Sequence, residues 1–396
     1  MSPPRPHPFA RSAFAQKASD LIALSWERGW QEKSPIDPDY LWQQGSKGFS
    51  RADETAFRSE EDVADFRLRL ELLCESLYAE AALNPFGHFM AFGQIQNAIR
   101  TRHALGGLWR KRPALAETPI APPIIVVGQM RSGTTRVQRL LASDPALCGT
   151  RFCDSYDPVP QRPDWRPLKA RAILFVARRT NPWLDTQHPF GATRTDEEIG
   201  WLSSALSSAA FEAQWHIPSF VAFSEQGGSG PVYREFEKIL RTDAAHRHNA
   251  DRPRVLKCPQ FAEDLPDLLE RFPDARIVHC QRDEAQVLAS SLSMVASQVA
   301  YQSDRHDLRA LEREWTRKIA LRRARTERAL AAFTGPLAQV SFDDLNADWR
   351  EAMAAAYREL GISFTPATQA AMQREVERSR GGAHTRHKAQ LRAFAD

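Results

Sequence analysis

The stretch PPIIVVGQMRSGTTRVQRLLASDP, residues 122–145, decides the fold. A β-branched apolar run, 124–127, enters a turn bounded by Gly128 and Gly133 and leaves as an amphipathic helical pattern: strand, loop, helix. Backbone N–H groups and the positive end of the helix macrodipole converge in such a loop, so it is read as a phosphate or sulfate site. In the nucleotide pattern G-x-x-x-x-G-K-[ST], the Lys reaches the β- and γ-phosphates and the next hydroxyl holds Mg²⁺. Here the Gly spacing is kept, but Thr134 stands at the Lys position and the cation has moved to Arg131, inside the loop. A guanidinium forks onto two oxygens and keeps its charge, so the loop grips an anion without an evident metal.

The string QMRSGTT, with SDP downstream, resembles the 5′-phosphosulfate-binding loop of sulfotransferases that use 3′-phosphoadenosine 5′-phosphosulfate (PAPS). The resemblance implies that Arg131, Ser132, Gly133, Thr134 and Thr135 hold the 5′-phosphosulfate and that no metal is required. It also implies a P-loop-like three-layer α/β domain with a central parallel sheet. A second motif lies at 254–295: RVLKCP as a short strand, FAEDLPDLLERF as a helix, DARIVHC as a strand, and QRDEAQVLASSLSMV as a helix. Arg282 ends that second strand, at the ligand edge of an open α/β sheet, and Ser290 follows eight residues later. The pair resembles the family's 3′-phosphate site. Relatives commonly carry Pro shortly after the Arg, whereas Asp283 and Glu284 stand here, suited to a first helical turn but adding negative charge beside the expected phosphate. Lys257, at the end of the LKCP strand, is a candidate for neutralising charge.

Sulfuryl transfer also needs a base for the acceptor hydroxyl. Relatives with the Arg-type loop place a Trp-Glu pair shortly after the loop helix, where this chain reads FCDSYDPVP, so Asp154 replaces the Glu and is the first candidate. Burial beside substrate is expected to raise its pKa toward the working range. His188, in TQHPFGATRTDEEIGW, is the second; the paired acids Glu197 and Glu198 after it otherwise read as a helix start. The histidines at 216 and 246–248 lack companion ligands for a metal.

Composition sets the outer bounds. Of 396 residues, 42% are hydrophobic and 26% charged, an ordinary globular balance, and a net charge of +4 is too slight to argue for nucleic acid. Five scattered cysteines without C-x-x-C spacing argue against a disulfide framework or zinc site, and a reducing cytoplasm is the default. No segment approaches the roughly 20 apolar residues of a membrane span. The expected partner is a small-molecule acceptor; composition sets neither its identity nor the oligomeric state.

Residues 1–115 read as an N-terminal helical extension opening on a loose Pro/Arg arm, and 116–396 as the α/β domain. Strands are expected near 124–127, 254–257, 275–280 and 337–341, with a long insertion at about 150–252 to build the acceptor site. Residues 304–333 read as an Arg-rich helix with its charges in solvent, and the Gly-containing tail is a candidate flap over the nucleotide. Two alternatives stand beside the sulfotransferase reading. One is a P-loop kinase-like phosphotransferase, disfavoured by Thr134; the other is a nucleotide-binding module without catalysis, motivated by the Glu-to-Asp change at 154.

Overall fold

Strand β1 (Ile124–Val127) is buried on both faces, as a continuous β-branched run in a parallel sheet should be. The computed structural model describes residues 5–379 and 389–391. Among these, β1 lies mid-sheet with β2 (Cys148–Gly149), β3 (Arg254–Leu256), β4 (Arg276–Gln281) and β5 (Leu337–Ser341), in the order β2-β3-β1-β4-β5, with every pairing parallel. Four of the strands fall where the sequence puts them. The two-residue β2 is too short to leave a pattern.

Before the sheet come α1 (Ala13–Glu27), α2 (Pro38–Gly45), α3 (Arg51–Thr55), α4 (Glu60–Ala79), α5 (Pro85–Lys111) and α6 (Ala114–Glu117). Helix α7 (Thr134–Ser143) follows β1, and the insertion carries α8 (Phe152–Tyr156), α9 (Arg166–Thr180), α10 (Leu184–Gln187), α11 (Ile199–Ser203), α12 (Pro218–Gln226) and α13 (Gly230–His246). Helix α14 (Phe261–Arg271) joins β3 to β4, and α15 (Glu284–Ala300) and α16 (Leu308–Ala332) lead to β5. The chain closes with α17 (Phe342–Ala347), α18 (Trp349–Glu359) and α19 (Pro366–Ser379).

Alternation along β1 divides the sheet's two cores. Ile125 and Val127 face Trp109, Phe236 and Phe261, while Ile124 and Val126 face Val137, Leu140 and Met353. The result is a helix–sheet–helix sandwich in which each fully buried aliphatic side chain contributes about 1.5–3 kcal/mol. Helix α4 starts at a capping box, with Asp62 N–H donating to Ser59 Oγ and Ser59 N–H donating to Asp62 Oδ2, both at 3.1 Å. Its stripe of Phe66, Leu70, Leu73 and Leu77 shares a core with Phe211, Trp215 and Phe220 of the insertion.

Two expectations are corrected. The arm is not loose from residue 5 onward: Arg5 Nη2 donates to Ser293 Oγ at 2.6 Å, and Ala10 is buried. Nor do the cations of α16 all face solvent. Lys318 and Arg322 are buried and neutralise Glu212, Glu225 and Glu263, with Lys318 Nζ at 2.7 Å from Glu212, 2.9 Å from Glu225 and 3.1 Å from Glu263. Acids contributed by distant segments are what bring these cations inside. The five cysteines are buried free thiols. Most of the proposed C-terminal flap lies outside the described residues.

Candidate functional site

Strand β1 has β3 on one side and β4 on the other, so the chain leaves it in opposite directions, and the crevice beyond the strand ends at such a switch point is where α/β sheets bind ligands. That topology places the loop after β1 between Lys257, just beyond β3, and Arg282, just beyond β4. The loop's shape demands its glycines. Gly128 (φ +152°) would bring a Cβ to 2.6 Å from the Cys280 carbonyl oxygen, and Gly133 (φ +89°) would bring one to 2.9 Å from the Phe342 ring. Gly133 is the N-cap of α7 and supplies no capping side chain, which leaves the first-turn N–H groups directed at the loop mouth. Ser132 is turned inward, its Oγ donating to the Gln129 carbonyl at 2.6 Å. Arg131 adopts φ +72°, a left-handed conformation that costs a residue with a Cβ about 1–3 kcal/mol and clusters at ligand sites.

The structure joins the two motifs at Arg131. Its Nε donates to Ser290 Oγ at 2.9 Å and its Nη1 to the Gln187 carbonyl at 2.6 Å. Arg282 Nη1 donates to the Arg131 carbonyl at 2.7 Å, and its guanidinium sits 4.1 Å from the Phe342 ring centre. Arg282 and Ser290 therefore need not fold onto each other along α15, because the loop arginine bridges them. Burial, and then repulsion from Arg282, lowers the Arg131 pKa to about 10. Two guanidiniums near enough to repel each other favour an anion beside them. Asp283 caps its own helix, its carboxylate accepting from Gln286 N–H at 3.0 Å, while its charge, after that of Asp343, is felt at Arg282.

On the β3 side, Lys257 is only 1% exposed, which rules out a surface role. Its Nζ donates to Thr135 Oγ1 at 2.9 Å and pairs with Glu197. Glu198 accepts from the Lys257 backbone N–H at 2.8 Å. Burial pushes the Glu198 carboxyl up to about 8, against the opposing hydrogen bonds from Thr150 and Lys257. Adjacent acids thus differ, with Glu197 on the lysine at the loop mouth and Glu198 supporting the strand end. His188 Nε2 lies 2.9 Å from Asp196 Oδ1. Burial alone would raise the Asp196 carboxyl, but His188 and Arg139 outweigh it and hold it low. Donor atoms of His188, Asp196 and Glu197 all lie within 4.8 Å of one another, a set able to hold a cation, but Arg139 at 3.5 Å from Asp196 and Lys257 on Glu197 already supply positive charge.

Asp154 requires a correction. It is fully buried; Arg151 Nε and Nη2 donate to it at 2.6 and 2.8 Å, with Arg166 at 3.2 Å and Arg247 at 3.6 Å. Burial would raise its pKa, but these guanidiniums outweigh burial and the pKa is lowered, not raised. Three arginines make Asp154 an ion-pair hub. The carboxylate at the loop is Glu197, whose sequence signal was its place in the paired acids after His188-Pro. A further residue that sequence reasoning missed is Tyr156. It is 46% exposed, its ring stacks on Phe152 at 4.4 Å between centres, and burial first, then Asp196 and Glu197, raise its hydroxyl pKa.

Comparison with known proteins decides what the site belongs to. A sequence profile described as "Sulfotransferase family" matches residues 122–366, from the strand before the loop to the start of α19. The chain belongs to the sulfotransferase family. Among relatives in that family are the omega-hydroxy-beta-dihydromenaquinone-9 sulfotransferases Stf3 of Mycobacterium bovis and Mycobacterium tuberculosis, each 26% identical over 198 residues. That match covers 48% of this chain and spans about half, 50%, of each relative. Two sulfotransferase crystal structures share the fold. STF1 from Mycobacterium tuberculosis has a TM-score of 0.71 at 23% identity, covering 92% of this chain and all of that one. STF9 from Mycobacterium avium has a TM-score of 0.75 at 19% identity, covering 91% and 95%.

Proposed function

We propose that the protein transfers a sulfuryl group from PAPS to a hydroxyl of a lipophilic acceptor. The observation that carries this reading is the convergence on one loop of an uncapped helix N-terminus, Lys257, and the Arg131–Ser290–Arg282 cluster. Two separate cationic stations suit a nucleotide with charge at both ends. Arg131, the backbone of Ser132, Gly133, Thr134 and Thr135 at the α7 N-terminus, and Lys257 would hold the 5′-phosphosulfate, and Arg282 and Ser290, the latter bonded to Arg131, the 3′-phosphate.

PAPS supplies an activated sulfuryl group on a good leaving phosphate, and the protein positions it. Glu197 takes the proton from the acceptor hydroxyl as the acceptor oxygen–sulfur bond forms and the sulfur–phosphate oxygen bond breaks. Lys257 and the α7 N–H groups stabilise charge gathering on the leaving phosphate. His188, oriented by Asp196, stands beside Glu197 as a second acceptor for that proton. No step calls for a metal. Glu197 also removes the motive for a module without catalysis, since a carboxylate stands at the loop despite the change at 154. The lipophilic character of the acceptor is supported by the Stf3 relatives, named for a hydroxylated menaquinone, and by the aromatic lining Tyr156, Phe152 and Phe190 near His188. Placement in the cytoplasm rests on the unpaired cysteines.

Calorimetry with the desulfo nucleotide 3′-phosphoadenosine 5′-phosphate tests the binding half, and labelled PAPS with long-chain prenyl alcohols tests transfer. Equal affinity for nucleotides with and without the 3′-phosphate would overturn the assignment.

A further inference from the structure

Helix α9, with the preceding Trp165, reads WRPLKARAILFVARRT and carries no acidic residue. Its inner face is accounted for, because Ala170 and Leu174 pack on Phe152 and Cys153. Its outer face is apolar and exposed: Trp165 56%, Leu168 57%, Ile173 51%, Phe175 60% and Val176 51%. Spacings of three, seven and eleven residues place Trp165, Leu168, Phe175 and Val176 on one stripe. Large apolar side chains gathered on one exposed face mark an interaction surface, unlike the singly scattered ones any protein surface tolerates.

The flanks of the stripe are basic. Lys169 and Arg171 lie on either side of it, and Arg179 lies at its C-terminal end with its guanidinium 4.9 Å from the Phe175 ring centre. Lys169 is partly engaged by Asp157 at 3.2 Å, whereas Arg171 and Arg179 make no ion pair among the described residues. Aromatic and aliphatic side chains outward, cations beside them and no acids are what an interfacial helix needs to sit at an anionic lipid surface. Among the described residues, no helix is long and apolar enough to cross a membrane, so the association would be peripheral.

The position of α9 ties this face to the site. Phe152, beneath α9, stacks on Tyr156 at 4.4 Å and meets Phe190 at 5.6 Å, and Phe190 lies 4.3 Å from His188. A continuous aromatic path thus runs from the underside of α9 to the residues beside Glu197.

We propose that α9 docks the enzyme on an anionic bilayer surface, so that a lipid-dissolved acceptor enters along Tyr156 and Phe190. This rests on the lipophilic-acceptor reading above. The test is co-flotation of the full chain with vesicles of phosphatidylcholine alone and of phosphatidylcholine with phosphatidylglycerol, alongside calorimetric binding of the desulfo nucleotide. The expected result is binding to the anionic vesicles only, weakened by salt, lowered more than tenfold in Leu168→Asp/Phe175→Asp and about fivefold for each of Arg171→Gln and Arg179→Gln. Nucleotide affinity should stay unchanged in all of these variants. No vesicle binding by the wild-type chain, or equal binding by the variants, would overturn the proposal. So would a dimer in solution that Phe175→Asp dissociates, since the face would then belong to a second copy. Loss of nucleotide binding in the wild-type chain would instead sink the transferase reading on which this one rests.

Discussion

Replacing Asp154 with Asn separates a base from a structural hub. The substitution keeps the shape and removes one buried charge facing Arg151, Arg166 and Arg247. Breaking a buried ion pair on one side costs about 3–5 kcal/mol. Each arginine keeps a second acid, Arg166 with Asp164 at 2.8 Å, Arg151 with Asp164 at 3.5 Å and Arg247 with Asp243 at 3.9 Å, which argues for the lower end, about 3 kcal/mol. At about 2 °C per kcal/mol for a chain of this length, Tm should fall by roughly 6 °C by calorimetry. Transfer by the folded fraction should stay within about threefold of wild type, because the carboxylate is sequestered by its arginines. The pH dependence follows from the depressed pKa. The stability Asp154 supplies is present in full above the ordinary carboxylate value near 4 and is lost as pH falls from there through the lower folded value. The Tm gap between wild type and variant should therefore close in acid. An unshifted Tm with turnover reduced a hundredfold or more would refute this reasoning and restore Asp154 as the base.

Glu197→Gln should lower kcat by about 10²–10⁴ with desulfo-nucleotide affinity changed little, measured by single-turnover transfer; a wild-type rate would pass the role to His188. Arg282→Ala should weaken binding of 3′-phosphoadenosine 5′-phosphate by about 10- to 150-fold in calorimetry, the loss of one charge-assisted hydrogen bond of about 1.5–3 kcal/mol, while leaving affinity for adenosine 5′-phosphate nearly unchanged. Gly133→Ala, which puts a Cβ at 2.9 Å from Phe342 and φ +89° on an L-residue, should abolish nucleotide binding while circular dichroism shows the fold retained. Glu198, its carboxyl raised to about 8, binds more protons folded than unfolded between pH 4.5 and 8, so its contribution to stability falls as pH rises through that window, by up to about 1.4 kcal/mol per pH unit. Denaturant unfolding of Glu198→Gln across that range should show a flatter profile than wild type.

The candidate site was legible in the sequence wherever local structure is set by neighbours in the chain. The run 124–127 could only be a buried strand, Gly128 and Gly133 could only bound a tight loop, and Thr134 in place of Lys removed the ordinary nucleotide pattern. Lys257 and Arg282 were legible because strand ends in a parallel sheet deliver their residues to one edge. Ionisation was not legible. Asp154 and Glu197 are both acids in polar strings, and only tertiary packing puts Arg151, Arg166 and Arg247 around one and Lys257 against the other. The same holds for Lys318 and Arg322, polar in sequence yet buried in space by Glu212 and Glu263, and for Arg131, whose link to Ser290 spans 159 residues. Periodicity and turn chemistry act over a few residues and fix elements and loop. Charge acts through space on whatever the fold brings near, so the preference among the candidate bases and the contact between the two candidate anion-binding motifs belonged to the tertiary structure.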